Sequence, residues 1–147
     1  MTIDTSTFVA SDGAEITVHR WLPDTAPKAI AQISHGMAEY AMRYERFAEA
    51  LVARGYAVYG ADHRGHGQTA GSLAKLGWLA DSHGFERVME DQVEITRMIA
   101  ERHPGAGIIL FSHSFGSFIA QMYIERYGDL LRGCVLSGTR GPDPALV

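Results

Sequence analysis

The fold is decided by the stretch Ile108-Ile109-Leu110-Phe111-Ser112-His113-Ser114-Phe115-Gly116-Ser117-Phe118-Ile119-Ala120. Its first four residues are apolar and favour a strand, and its last residues are typical of a buried helix. Ser114 lies at the junction, and Ser112 and Gly116, two positions to either side of it, are both small. A serine on such a sharp strand-to-helix turn, here called the elbow, projects its hydroxyl above the sheet as a candidate nucleophile. The alternative is an ordinary turn serine ahead of a buried helix.

Length and composition are those of an ordinary globular protein. The chain has 147 residues, about one domain, of which 46% are hydrophobic and 20% are charged. The net charge of −4 comes without a basic stripe, so nucleic acid is not expected as a partner. Neither a signal peptide nor an apolar run long enough to span a membrane is visible, so we expect a cytoplasmic protein. The single cysteine, Cys134, is predicted to be a buried, reduced thiol.

Short apolar segments alternate with helical patterns along the chain. The first 22 residues alternate apolar and polar side chains around Ser11-Asp12-Gly13, which predicts an antiparallel hairpin. Further strands are predicted at residues 29–33, 56–61, 108–111 and 133–137, with helices between them. This alternation requires crossover connections. It predicts an α/β fold with a mostly parallel sheet, helices on both faces and the hairpin as an antiparallel margin.

Helix boundaries can also be predicted. The spacing of Tyr44, Phe47 and Val52 places these residues on one face of a helix, and Gly55 is expected to cap that helix.

A second motif, Ser34-His35-Gly36-Met37, follows a predicted strand at the edge where parallel sheets place their sites. An ester hydrolase needs two backbone N–H groups aimed at the developing oxyanion. One would come from Phe115, next to Ser114, and the other from Met37. Gly36 would allow the backbone to approach closely. The alternative interpretation of this motif is a plain turn.

Three motifs occur in order along the chain: Ser34-His35-Gly36-Met37-Ala38-Glu39-Tyr40, Asp62-His63-Arg64-Gly65-His66-Gly67 and Ser112-His113-Ser114-Phe115-Gly116-Ser117. With them the chain resembles the N-terminal half of the α/β-hydrolase superfamily, in its monoacylglycerol lipase and lysophospholipase-like branch. That branch carries His-Gly-x-x-Glu-His, Asp-x-Arg-Gly-His-Gly and Gly-His-Ser-x-Gly. The chain departs from it at two positions, because Ser112 replaces a glycine and Tyr40 replaces a histidine.

The resemblance implies a serine hydrolase of carboxylic esters that acts on monoacylglycerol- or lysophospholipid-like substrates. Ser114 would be acylated, and the N–H groups of Met37 and Phe115 would form the oxyanion hole. The resemblance also implies an ion pair between Glu39 and Arg43. The substrate site would be lined by residues of two motifs: His35, Gly36 and His113.

No cofactor and no metal are implied. His63 and His66 have a spacing that metal ligands also show, but no third ligand is near them in the sequence.

In this superfamily the acid and the base follow the nucleophile in the order Ser, Asp/Glu, His. After Ser114 only Glu125, Asp129 and Asp143 are acidic, and no histidine occurs beyond the elbow. Residues 1–147 are therefore expected to be the N-terminal part of a single α/β-hydrolase domain. The lid and the C-terminal strands with the acid and base would be absent, so this chain is expected to be inactive by itself.

Two other functions stay open. The same nucleophile could serve a thioesterase, peptidase or acyltransferase, or the scaffold could be retained in a non-catalytic binding protein. The strand from Gly133 to Ser137 would be an unpaired sheet edge, with Val135 and Leu136 uncovered, so self-association through it is expected. No membrane span is expected, although peripheral contact with a membrane stays open.

Overall fold

The computed structural model describes residues 1–141. In chain order the strands are β1 (Thr2–Val9), β2 (Glu15–Leu22), β3 (Ile30–Ser34), β4 (Ala57–Ala61), β5 (Ile108–His113) and β6 (Gly133–Ser137). The α-helices are α1 (Glu45–Val52), α2 (Gly84–Arg102) and α3 (Phe115–Tyr127). Asp143, one of the three acidic residues that follow Ser114, lies outside the described residues. Within residues 1–141, no helix has the length and apolar content that crossing a bilayer requires.

The strands form one sheet in the order β1-β2-β4-β3-β5-β6. β2 pairs antiparallel with both β1 and β4, whereas β3, β4, β5 and β6 run parallel. Parallel neighbours need crossover connections, which α1, α2 and α3 provide. The predicted α/β fold, with a mostly parallel sheet and an antiparallel N-terminal hairpin, is confirmed. The hairpin occupies the predicted first 22 residues, with pairing that extends from Thr2 opposite Leu22 to Val9 opposite Glu15.

Side chains of consecutive strand residues point to opposite faces of the sheet, so both faces carry apolar side chains. Helices cover both of these faces. On one face, α1 packs Ala48 and Val52 against Trp21, Ile33 and Val58. The larger core lies on the other face, beneath α2 and α3. Its buried residues include Ile16, Ile30, Tyr59, Ile95, Ile99, Ile108, Leu110 and Ile119.

The first crossover helix is shorter than its apolar spacing predicted. Tyr44 belongs to a 3-10 turn (Ala41–Tyr44) that precedes α1, and Phe47 stays partly exposed while its ring packs on that of Phe111, 4.8 Å away. The end of the helix is as predicted. Gly55 has a φ of 87° and donates its N–H to the Val52 carbonyl, a left-handed cap that glycine adopts without strain.

β6 is the edge strand of the described sheet, and the side chain of Val135 is 45% exposed. Cys134 and Leu136 point to the opposite face, where both are half-buried against the core beneath α3. The expectation that Leu136 is uncovered is therefore wrong, and Cys134 is half-buried where the sequence predicted a buried thiol. Cys134 is a free thiol, and burial raises its pKa even though the side chain is only half-buried.

Candidate active site

Ser114 lies at the turn between β5 and α3, as the sequence predicted. Its backbone has a φ of 49° and a ψ of −117°, a conformation that a residue with a Cβ rarely adopts. Hydrogen bonds to its backbone hold it there. Its N–H donates to the Ser137 carbonyl (2.9 Å), and its own carbonyl accepts from the N–H (2.8 Å) and hydroxyl (2.6 Å) of Ser117. The half-buried Ser114 is thus kept in a strained conformation of the kind that clusters at active sites.

The residues that flank Ser114 are small because other backbone lies against them. A Cβ placed on Gly116 would come 2.6 Å from the carbonyl oxygen of His35, so α3 starts in contact with the end of β3. Ser112 is fully buried, and its hydroxyl donates to the Val135 carbonyl of β6 (2.8 Å). A serine is therefore accommodated at position 112 because the neighbouring strand supplies an acceptor for its hydroxyl.

The loop that follows β3 approaches Ser114 at Gly36. A Cβ placed on Gly36 would lie 3.3 Å from the Ser114 Cβ. The two residues that carry the candidate oxyanion donors differ in burial, since Met37 is 53% exposed and Phe115 is 3% exposed. Within residues 1–141, neither the Met37 N–H nor the Phe115 N–H has a hydrogen-bond acceptor. Both groups are thus free to bind an external oxygen.

Glu39 fastens this loop to the 3-10 turn that precedes α1. Its Oε1 accepts hydrogen bonds from the Gly36 N–H and from the Tyr44 hydroxyl (2.7 Å). Its Oε2 lies 3.4 Å from Arg43 Nη1, which confirms the predicted ion pair. Burial opposes the charge of Glu39, but the hydrogen bonds from Tyr44 and Gly36 hold its pKa below the usual value. Glu39 therefore stays ionised and keeps its hold on Gly36.

Three histidines pack together behind the loop. The ring of His35 lies 4.0 Å from that of His63 and 5.3 Å from that of His66, and all three are buried. Burial lowers the pKa of His35 to about 4 and that of His63 well below 6.5. Because His35 is fully buried, it cannot contact a substrate, and the lining role expected of it does not fit its position.

His66 connects this histidine cluster to Phe115, the residue after Ser114. Its Nδ1 lies 2.9 Å from the Arg64 carbonyl, and its ring stacks on that of Phe115 at 6.0 Å. Within residues 1–141, no group of three or more His, Cys, Asp or Glu side chains is arranged to hold a metal ion.

His113 is placed elsewhere. Its Nδ1 lies 3.3 Å from the Ser137 hydroxyl, and a Cβ on Gly138 would come 3.1 Å from its Cε1. The side chain therefore packs against the end of β6, and its ring joins no contact of the histidine cluster.

The loop after β4 holds Asp62 and Arg64, two motif residues for which no individual role was predicted. Asp62 accepts the Ala41 N–H (2.8 Å) and the Gln68 N–H (2.7 Å), and so joins two loops. Arg64 makes paired hydrogen bonds to Asp91 of α2 and to Asp12 of the hairpin turn, all between 2.7 and 2.9 Å.

The sequence analysis did not predict a buried polar network, although a glutamine within an apolar strand was a signal for it. Gln32 is a polar residue in the middle of the mostly apolar strand β3, and its amide nitrogen donates to the Gln92 carbonyl of α2 (3.0 Å).

The chain is similar to known hydrolases over most of its length. Residues 25–142 match the family described as "Serine aminopeptidase, S33". A monoacylglycerol lipase of Mycolicibacterium smegmatis is 34% identical over 145 residues, which are 95% of this chain and 50% of the relative. A human monoglyceride lipase is 34% identical over 113 residues, 77% of this chain and 35% of the relative. A thermostable carboxyl esterase from Bacillus coagulans superposes with a TM-score of 0.87 at 29% identity, covering 98% of this chain and 46% of the esterase. The chain thus spans about half, or less, of the length of these proteins.

Proposed function

This chain belongs to the serine aminopeptidase S33 family of α/β-hydrolases, and from that premise we propose that it carries the nucleophile half of a serine carboxylic-ester hydrolase. The observation that carries the proposal is Ser114, which is strained, half-buried and close to Gly36. Within residues 1–141, the N–H groups of Met37, which follows Gly36, and of Phe115, which follows Ser114, have no acceptor. Relatives named monoacylglycerol and monoglyceride lipases support a lipid-like monoester as the substrate.

In the proposed reaction, the Ser114 hydroxyl attacks the ester carbonyl while a general base takes its proton. The negative oxygen of the tetrahedral intermediate accepts hydrogen bonds from the N–H groups of Met37 and Phe115. Phe115 is the first residue of α3, so the positive end of the helix dipole adds to this stabilisation. The intermediate then expels the alcohol, which takes the proton back from the base. Water finally hydrolyses the acyl-serine and releases the acid.

Two other residues have places in this site. Gly36 lies against Ser114 and would line the entry of the substrate carbonyl, and His113 would border the site at the end of β6.

We further propose that residues 1–147 form the N-terminal part of a single α/β-hydrolase domain. The relatives are about twice as long or longer, and no histidine follows His113 in this sequence. The general base and its carboxylate would then lie in a C-terminal part like that of the relatives. Without them the serine is a weak nucleophile, and the 147-residue chain alone is expected to be inactive.

A chimera tests this proposal. Residues 1–141 are fused to the C-terminal half of the Mycolicibacterium smegmatis lipase, beyond the stretch that this chain matches. A fluorophosphonate probe should label Ser114 in the chimera, and the chimera should hydrolyse monoacylglycerol. The 147-residue chain alone should label at least about a thousandfold more slowly, because triad members act as a unit.

Two serine variants of the chimera serve as controls. Ser114→Ala should abolish labelling, whereas Ser82→Ala, on an exposed loop before α2, should not change it. Labelling at another serine would overturn the assignment of the nucleophile. Rapid labelling of the 147-residue chain alone would show that a base lies within it.

A peptidase is the second candidate, because the matched family is described as an aminopeptidase. Monoacylglycerols and aminoacyl amides assayed side by side on the chimera separate the two activities. If neither is hydrolysed and Ser114 does not label, a non-catalytic binding function is favoured.

A cytoplasmic location and peripheral contact with substrate-bearing membranes are part of the same proposal, and cell fractionation tests both.

A further inference from the structure

Both backbone polar groups of Gly36 are held by side chains. Its N–H donates to Glu39 Oε1, and its carbonyl oxygen lies 2.8 Å from Nδ1 of His35. Residues 1–141 contain no cis peptide bond, so the Gly36 carbonyl and the Met37 N–H of the shared peptide point in opposite directions. The Met37 N–H therefore points away from the His35 ring.

We propose that His35 is the positioning residue of the loop that follows β3, here called the oxyanion loop: by holding the Gly36 carbonyl, it turns the Met37 N–H toward the Ser114 hydroxyl. The close approach of Gly36 to Ser114, with 3.3 Å between the Ser114 Cβ and a Cβ placed on Gly36, brings this peptide to the nucleophile. This inference rests on the proposed function, because it assigns a task within the same oxyanion hole.

Only one neutral tautomer of His35 can donate a hydrogen bond to the Gly36 carbonyl. The backbone N–H of His63 donates to His35 Nε2 (2.9 Å), so Nε2 must carry a lone pair and Nδ1 must carry the proton. That proton is the one donated to the Gly36 carbonyl. Since His35 is fully buried, no water competes for either nitrogen. His63 therefore sets the tautomer, and the tautomer sets the direction of the peptide.

His63 is in turn held by the core. Its Nε2 lies 3.1 Å from the His35 carbonyl, and its Nδ1 lies 3.5 Å from the amide nitrogen of Gln92 in α2. From Gln92 the hydrogen bonds continue through three further buried side chains: Gln32, Thr96 and Tyr123. The loop is thus tied to β3, α2 and α3 before any substrate binds, which is the preorganisation that an oxyanion hole needs.

Two variants of His35 separate its two hydrogen bonds. In His35→Asn the amide nitrogen takes the place of Nδ1 and can still donate to the Gly36 carbonyl. In His35→Gln the amide oxygen reaches the place of Nε2 and can still accept the His63 N–H, but Gly36 loses its donor. Both variants keep one polar group in the same buried cavity, so each is a control for the other.

The kinetic test uses the chimera described above. We expect His35→Gln to lower kcat about 100-fold with KM changed less than threefold, because an oxyanion donor acts only in the transition state. His35→Asn should keep kcat within about tenfold of wild type, since the hold on Gly36 remains. Equal losses in both variants, or no loss in His35→Gln, would overturn the inference.

A second measurement needs neither activity nor a variant. Nitrogen-15 NMR of the wild-type 147-residue chain should show His35 protonated at Nδ1 and unprotonated at Nε2. The opposite tautomer would overturn the inference even if a variant fails to fold.

If the wild-type chimera does not label at Ser114, the proposed function fails while the tautomer still decides the orientation of the loop. If it labels and the two variants behave alike, the inference alone fails.

Discussion

A Cβ atom placed on Gly116 would lie 2.6 Å from the carbonyl oxygen of His35. The first turn of α3 therefore touches the end of β3, and this contact brings the elbow against the oxyanion loop. We expect Gly116→Ala to lower the free energy of unfolding by about 2 kcal/mol or more, because backbone atoms must move. Urea denaturation measures this change.

Gly128, just after α3, supplies the matched control for that substitution. A Cβ placed there would meet only the Ile124 Cβ at 3.8 Å, and its φ is −59°. Gly128→Ala should therefore be neutral or stabilise the fold by up to about 1 kcal/mol. Equal destabilisation by the two substitutions would show that the contact at Gly116 is not what restricts its size.

The acid stability of the fold should depend on His35. Burial lowers its folded-state pKa to about 4, whereas in the unfolded chain it titrates near 6.5, the usual pKa of a histidine. Between these values the unfolded state binds more protons, so stability falls as the pH drops, by about 3 kcal/mol for His35 alone at pH 4. His35→Asn should therefore flatten the plot of unfolding free energy against pH between 6.5 and 4.

Other groups near His35 affect this plot in recognisable ways. His63 also has a lowered pKa through burial, so part of the slope should persist in His35→Asn. His66, Glu39 and Asp62 face His35, and the two carboxyls have pKa values below their usual range. Their contributions to stability are lost only at lower pH, below about 4.5. An unchanged slope between pH 6.5 and 4 in His35→Asn would contradict the prediction.

Arg64 should be important for stability because it neutralises a buried carboxylate. Its guanidinium bridges Asp91 and Asp12, and Asp91 is almost inaccessible to solvent. Burial raises the pKa of Asp91 even with Arg64 beside it. Arg64→Met should cost about 3–5 kcal/mol of unfolding free energy at neutral pH, because it leaves this charge unpaired.

A double substitution shows whether the unpaired charge is the cause. Arg64→Met combined with Asp91→Leu replaces the buried pair by apolar side chains, which should recover most of the lost stability. Urea denaturation of the two single variants and the double variant gives the coupling energy. Simple addition of the two losses would rule out this explanation.

Self-association is expected through the edge strand β6, where Val135 is 45% exposed. Val135→Lys should shift the chain toward monomer in light scattering, because a charge on an edge strand opposes strand-to-strand pairing. Leu73→Lys makes the same change on an exposed loop (87% exposed) and should leave the oligomeric state unchanged. A wild-type chain that is monomeric at high concentration would refute the expectation.

The sequence by itself determined the parallel sheet and the elbow. The apolar run before Ser114, the small residues around it and the apolar run after it require a strand, a tight turn and a helix, and these interactions are local. The same holds for the cap at Gly55 and for the hairpin turn. Predictions failed where the partners of a side chain decided its burial, as for Cys134 and Leu136, which α3 covers.

Only the tertiary structure decided which groups meet at the site. Gly116 and Ser34, 82 positions apart, touch because β3 and β5 are neighbours in the sheet, although they are far apart in the chain. His63 donates hydrogen bonds to His35 from its backbone N–H and from its Nε2, because β3 and β4 end side by side. Which ring nitrogen of His35 carries the proton, and hence where the Met37 N–H points, depends on these contacts between distant residues. Local patterns constrain only neighbours in the chain, so no pattern in the sequence could have shown it.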